Sequence, residues 1–272
     1  MSFPGMHGVT AAGGGGDPLD YGDDLIAFWE SETNVNDTGG EVDDWTDQGD
    51  DALVLSQISG NTGPDLESNT QNGFDGISFE EFVLAEPINK KLRSTDSELD
   101  NIFFDAGTKT ISFAARWDRT QDQTFGLDSI ICSKGYAFGK NEGWVLWIRP
   151  TGNIQFRQYM TNGNFWAVEA SGFYSVDDLV LGSLTYSGGN TSGSGSFRLW
   201  NGSSFVTTGT VTTASGSSTK FNDASDDFIV GNMHDPADTS DNAPFEGPIF
   251  GLWITKPSQI SLDDQYMQRW VP

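Results

Sequence analysis

An all-β fold, an antiparallel β-sandwich with a short C-terminal helix, is predicted by three observations. Glycine accounts for 33 of the 272 residues, roughly 12% against an ordinary 7%. The chain also carries 19 Phe, 9 Trp and 6 Tyr, so many short strands joined by tight turns can still bury a large core. Alternation of apolar and polar residues recurs between turn clusters from Leu25 onward, while a helical pattern shows only at the tail. With no helix between strands, βαβ architecture is excluded and two antiparallel sheets packed face to face remain.

Along the chain, residues 1–22 read as a flexible arm, because the Gly run at 13–16 has nothing to bury and much backbone freedom. Residues 23–272 read as one domain, opened by the apolar strand at 25–29. Residues 110–117 place Ile111, Phe113, Ala115 and Trp117 on one face of a strand. Residues 143–149 and 153–159 form a hairpin around Pro150-Thr151-Gly152. Strands at 178–186 and 196–200 flank the Gly/Ser-rich stretch 187–195, and the last two strands fall at 227–231 and 248–255. At the tail, Ser261-Leu262-Asp263-Asp264 has the form of a capping box, with Ser261 at the N-cap and Asp264 three residues on.

A formal net charge of −25, from 39 acidic and 14 basic residues, repels phosphates and anionic lipid and excludes nucleic-acid binding. The acids concentrate early: residues 1–89 contain no Lys or Arg. Asp is 28 of the 39 acids, which suits solvated turns. One cysteine, Cys132, permits no internal disulfide and lies in an apolar stretch that reads as core. The first residues lack the basic and apolar regions of a secretory signal, so folding in a cytoplasm is expected. Apolar runs of about five residues are far short of the roughly 20 needed to span a bilayer.

The order of motifs resembles the concanavalin A-like lectin/glucanase jelly roll, in its laminin-G-like branch. Leu25-Ile26-Ala27-Phe28-Trp29 resembles that family's opening strand, Trp45-Thr46-Asp47 its W-x-D turn and Phe74-Asp75-Gly76 its F-D-G step. Ile130-Ile131-Cys132-Ser133-Lys134-Gly135, Leu199-Trp200-Asn201-Gly202 and Phe245-Glu246-Gly247-Pro248-Ile249 resemble later segments in the same order. The resemblance implies a concanavalin A-like jelly roll and leaves function open, since that fold hosts lectins, hydrolases and structural modules. Stand-alone domains of this kind resemble structural proteins of tailed bacteriophages. The expectation drawn is a non-enzymatic virion surface protein (a capsid decoration, head fibre or tail fibre subunit), folded in the host cytoplasm and homo-oligomeric on the particle. Its expected partners are virion subunits and cell-surface glycans. A carbohydrate-binding lectin module is the alternative, with a glycoside hydrolase behind it.

Catalytic chemistry finds little support. Glucanases of this fold carry E-x-D-x-E or E-x-D-x-x-E on one strand, whereas Glu41-Val42-Asp43 and Glu98-Leu99-Asp100 each lack the second Glu. Glu80 and Glu81 are adjacent and so point to opposite faces of any strand, and His7 and His234 form no triad. For sugar binding, aromatic faces and planar polar groups are needed, and Trp147, Arg149, Arg157, Tyr159 and Trp166 are the candidates. Of the hairpin residues half must point to the core, and Trp144 or Trp147 as plain core is the favoured reading. A Ca²⁺ site is expected, if anywhere, at Asp235, Asp238 and Asp241, whose hard oxygens crowd one loop. In the arm, Phe3, Met6, Leu19 and Tyr21 are expected to order on docking to a neighbouring subunit.

Overall fold

The computed structural model describes residues 18–49, 51–58, 63–79, 90–100, 102–103, 107–118, 128–136, 142–161, 163–189, 191, 193–212, 219–220, 223, 225–233, 245–256 and 260–272. Short alternating segments bounded by turn residues produce β1 (Leu25–Glu30), β2 (Val35–Thr38), β3 (Glu41–Thr46), β4 (Val54–Gln57), β5 (Asp65–Gln71) and β6 (Phe74–Phe79). Next come β7 (Leu92–Ser94), β8 (Lys109–Trp117), β9 (Ser129–Lys134), β10 (Trp144–Ile148), β11 (Ile154–Tyr159) and β12 (Phe165–Ala170). The chain continues with β13 (Asp178–Tyr186), β14 (Gly195–Trp200), β15 (Phe205–Thr208), β16 (Thr210–Thr212), β17 (Phe228–Val230) and β18 (Gly247–Thr255). An α-helix, α1 (Ile260–Met267), the only one among the described residues, follows, ending in a 3₁₀ turn at Gln268–Trp270.

Every ladder among the described strands is antiparallel, as the sequence predicts. A front sheet runs β2-β3-β4-β7-β17-β9-β10-β11-β12-β16. A back sheet has β18 at its centre, with β8, β13, β14 and β15 on one side and both β1 and the β6–β5 pair on the other. The two join at one edge through the Glu41–Asp65 pairing.

The sheets meet through aromatic rings. From the front, Phe156 and Trp166 face Tyr186 of the back sheet, with Trp166 and Tyr186 stacked at 4.7 Å. Phe103 fits edge-on among Trp144, Phe156 and Tyr186. On β8, Ile111, Phe113, Ala115 and Trp117 enter this core as the alternation requires. A fully buried apolar side chain contributes roughly 1.5–3 kcal/mol, so a ring-dense core holds the two sheets together without a cross-link. Gly231 marks close packing in this core: a Cβ there would lie 2.1 Å from the Phe79 ring.

Two local expectations fail. Helix α1 begins at Ile260, which places Ser261 inside the first turn rather than at the cap. Asp264 does not reach back to a cap; its carboxylate accepts from Arg198 of β14 at 2.9 Å. A charged pair between helix and sheet replaces the local box. Tyr21 is likewise not part of a free arm. It lies in a 3₁₀ segment, Pro18–Asp24, is 4% exposed, and joins Phe28, Trp253 and Tyr266 under α1. Its hydroxyl donates to Asp263 at 2.7 Å. An apolar ring with one polar tip finds both partners on its own domain, so Tyr21 is withdrawn as a docking residue. Leu19 lies in the same segment, while Phe3 and Met6 lie outside the described residues.

Cys132, on β9, is fully buried, and desolvation pushes its thiol well above the usual range. Since the thiolate is the reactive form, a thiol reagent such as Ellman's should leave the folded protein unmodified. One equivalent should react in denaturant. Rapid labelling in native buffer would contradict this burial.

Candidate functional site

Alternation on β10, β11 and β12 sends Trp144, Leu146, Phe156, Trp166 and Val168 inward and the residues between them outward. Register then sets the outward side chains in rows. Trp147, Gln155 and Glu169 pair across the three strands, as do Val145, Arg157 and Ala167, and Tyr159 with Phe165. Ile130, Tyr136, Val145, Trp147, Tyr159 and Met233 form a second, smaller apolar cluster on this outer face.

Arg157 sits at its centre. The guanidinium carbon lies 4.1 Å from the Phe165 ring centre, 5.0 Å from Trp147 and 5.8 Å from Tyr159. Such contacts favour a cation over the electron-rich ring faces by roughly 0.5–2 kcal/mol each. One terminal nitrogen donates to the Tyr159 hydroxyl at 3.1 Å and the other to Gln155 Oε1 at 3.0 Å. The Gln155 amide then donates to Glu169 Oε2 at 2.7 Å. Asn153 and Ser171 donate to the other oxygen of Glu169, at 3.0 and 3.1 Å. Arg149, beside them, lies 3.6 Å from Asp128 and 4.0 Å from Glu169.

A continuous hydrogen-bonded row, Tyr159–Arg157–Gln155–Glu169–Asn153, therefore crosses the sheet next to a patch of rings. Within it, Trp147 Nε1 and Arg157 Nε are buried without a hydrogen-bond partner. Tyr136 stacks on Tyr159 at 5.7 Å, and burial raises its hydroxyl well above the usual range, keeping it a donor. The whole arrangement hangs on a tight turn. Arg149 and Asn153 are joined by a backbone hydrogen bond at 2.8 Å, and Gly152 takes φ +76°.

Four of the five sequence-selected residues, Trp147, Arg149, Arg157 and Tyr159, share this face. Trp166 does not. It has no exposed surface, packs on Tyr186 in the main core, and spends its indole N–H on the Thr191 carbonyl at 3.0 Å. A ring closed in on this side of the sheet cannot stack on a sugar, so Trp166 is withdrawn. Trp144 belongs to the main core and Trp147 to the outer-face cluster, but Trp147 is only 2% exposed, so it too is withdrawn as a ring that stacks on a sugar. Glu169 and Phe165 escaped the sequence reading; their parity with Ala167 was the available signal, once the inward placement of Trp166 was known.

The loop holding Asp235, Asp238 and Asp241 lies outside the described residues. Among the described residues no three His, Cys, Asp or Glu side chains are placed to share a metal ion. No described helix is long and apolar enough to cross a membrane. A cleft elsewhere, lined by Asp51, Glu98, Asp100, Lys109 and Lys256, mixes charges of both signs and offers no aromatic ring.

The sequence matches no family model and no curated protein. Solved structures do match. The binding domain of botulinum neurotoxin serotype G is 12% identical, with a TM-score of 0.52 over 91% of this chain and 51% of that one. The serotype D binding domain is 14% identical, with a TM-score of 0.52 over 91% and 50%. This chain thus spans about half the length of those toxin domains. The CBM40 of the Ruminococcus gnavus IT-sialidase, in complex with α2,3-sialyllactose, is 14% identical over 69% of this chain and 94% of that one, with a TM-score of 0.44. The toxin-domain likeness is one of fold: the chain is an antiparallel β-sandwich with a short C-terminal helix.

Proposed function

We propose that this chain is a carbohydrate-binding, lectin-like module whose ligand lies on the outer face of the front sheet. The row from Tyr159 to Asn153 carries this reading. Sugar hydroxyls are bound by planar polar groups fixed in advance, and here each such group is oriented by its neighbour rather than by solvent. The adjoining half-buried ring of Phe165 supplies apolar surface for the C–H face of a pyranose, while the buried Trp147 packs beside Arg157. The same fold serves as a receptor-binding domain in botulinum neurotoxin type G. The reading is non-catalytic and takes Glu169, which accepts from Asn153, Gln155 and Ser171, as a positioning group. Attachment to a virion, expected from the sequence resemblance, draws no support from this geometry or these folds.

A glycan array probed with the wild-type chain and with Arg157→Ala tests the proposal. Hydrogen bonds to charged groups contribute about 1.5–3 kcal/mol each, so the variant should bind tenfold or more weakly. Its circular dichroism should stay unchanged. A folded wild-type protein that binds no glycan on the array would sink the reading.

A further inference from the structure

We infer that the ligand carries a carboxylate, as a uronic or sialic acid residue does, and that Arg157 receives it; this rests on the carbohydrate-binding reading above. The observation is an imbalance of pairing. Among the described residues, Arg93, Arg116, Arg149, Arg198 and Arg269 each have a carboxylate within 4.0 Å. Arg157 has none. In a chain with 39 acidic and 14 basic residues, Arg157 is the one described arginine without an acidic partner.

The nearest candidate is withheld by the structure. Glu169 stands on the same face, on the strand next to Arg157, and an arginine reaching it would form an ordinary ion pair. Gln155 stands between them, its amide nitrogen turned to Glu169 and its amide oxygen to Arg157. One neutral side chain so satisfies both ions and keeps them apart. The guanidinium has five N–H donors in a rigid fork, and Tyr159 and Gln155 use only two of them. Its charge is partly desolvated by three rings and compensated by neutral oxygens alone. A group in that state gains most from a planar anion that can accept two parallel hydrogen bonds, which a carboxylate does. A neutral sugar would leave the charge uncompensated.

Calorimetry should compare trigalacturonate with its methyl ester, and 3′-sialyllactose with lactose. At least one acid should bind tenfold or more tightly than its neutral counterpart. Whichever acid responds identifies the source of the carboxylate. Arg157→Gln should erase that preference, so that each acid and its neutral counterpart bind within about twofold of one another. Arg157→Lys keeps the charge and the stem on the rings but loses the fork; it should retain only a fraction of the preference, and it serves if the Gln variant does not fold. Neutral sugars binding as well as acids would overturn the inference and leave the lectin reading standing. A preference that persists in both variants would remove Arg157 from the role. Silence toward all four sugars and a full glycan array would overturn both readings together.

Discussion

Replacing Asp263 with alanine should lower the unfolding free energy by about 3–5 kcal/mol, while replacing it with asparagine should leave the protein as stable at neutral pH or more so. Asp263 is fully buried where α1 meets the back sheet. Its Oδ1 accepts both the Tyr21 hydroxyl and the Trp253 indole N–H, each at 2.7 Å. Alanine would strand two buried donors, each worth about 1–3 kcal/mol when unsatisfied. Asparagine keeps an oxygen for both donors and removes a charge whose burial is unfavourable. The pH dependence separates the two effects. Desolvation is the dominant influence on Asp263 and raises its pKa in the folded state. The folded form therefore holds this proton more tightly than the unfolded chain does. The contribution is fully present below the ordinary carboxylate range and is lost as pH rises through the raised value. Measured by urea unfolding, the stability of the wild type minus that of Asp263→Asn should fall as pH rises from about 4 toward neutrality. A difference that stays flat, or one that rises, would refute the assignment.

Gly152→Ala should destabilise by more than about 3 kcal/mol, and Gly172→Ala by only about 1–2 kcal/mol, the ordinary expense of a left-handed residue with a side chain. Both glycines have positive φ, +76° and +59°. Their surroundings differ. A Cβ at Gly172 meets nothing within 4 Å, whereas one at Gly152 would lie 1.9 Å from the Tyr174 carbonyl oxygen. Retreat is blocked, because the Gly152 carbonyl accepts from the backbone N–H of both Phe173 and Tyr174 at 3.0 Å. Since this turn carries Arg149 and Asn153 to the polar row, glycan binding should weaken in parallel. Equal losses at the two positions would show that conformation alone, and not the clash, governs the turn.

Sequence was informative where a local pattern decides structure. The alternation at 110–117 predicts which face of β8 enters the core, and Pro150-Thr151-Gly152 marks the hairpin turn. It was uninformative where two faces of one strand are both apolar. Trp144 and Trp147 are three residues apart, so their side chains leave opposite faces of β10, and each face has an apolar cluster to receive one. The same ambiguity misplaced Trp166, since Phe165 and Trp166 are neighbours of equal promise and opposite direction. Tyr21 and Asp263 were out of reach for another reason: they are 242 residues apart, and their hydrogen bond exists only after the termini of the domain converge. Gln155 as a spacer between Arg157 and Glu169 required the register of three strands at once.

The two outer faces of the sandwich are not equivalent, and this asymmetry has a practical meaning for tethering. On the back sheet, Tyr266, Met267 and Trp270 close over Phe28 and Phe250. The chain end is held there by Gln71, which donates to the Trp270 carbonyl at 2.9 Å, and Asn72, which donates to the carbonyls of Arg269 and Val271 at 3.1 and 3.3 Å. The last residues therefore lie on the side away from Arg157. A chip, bead or fluorescent protein joined through the C-terminus leaves the polar row pointing outward. Under the glycan-binding proposal, copies anchored that way side by side would present parallel sites to a sugar-coated surface, and linkage would raise avidity through effective concentration.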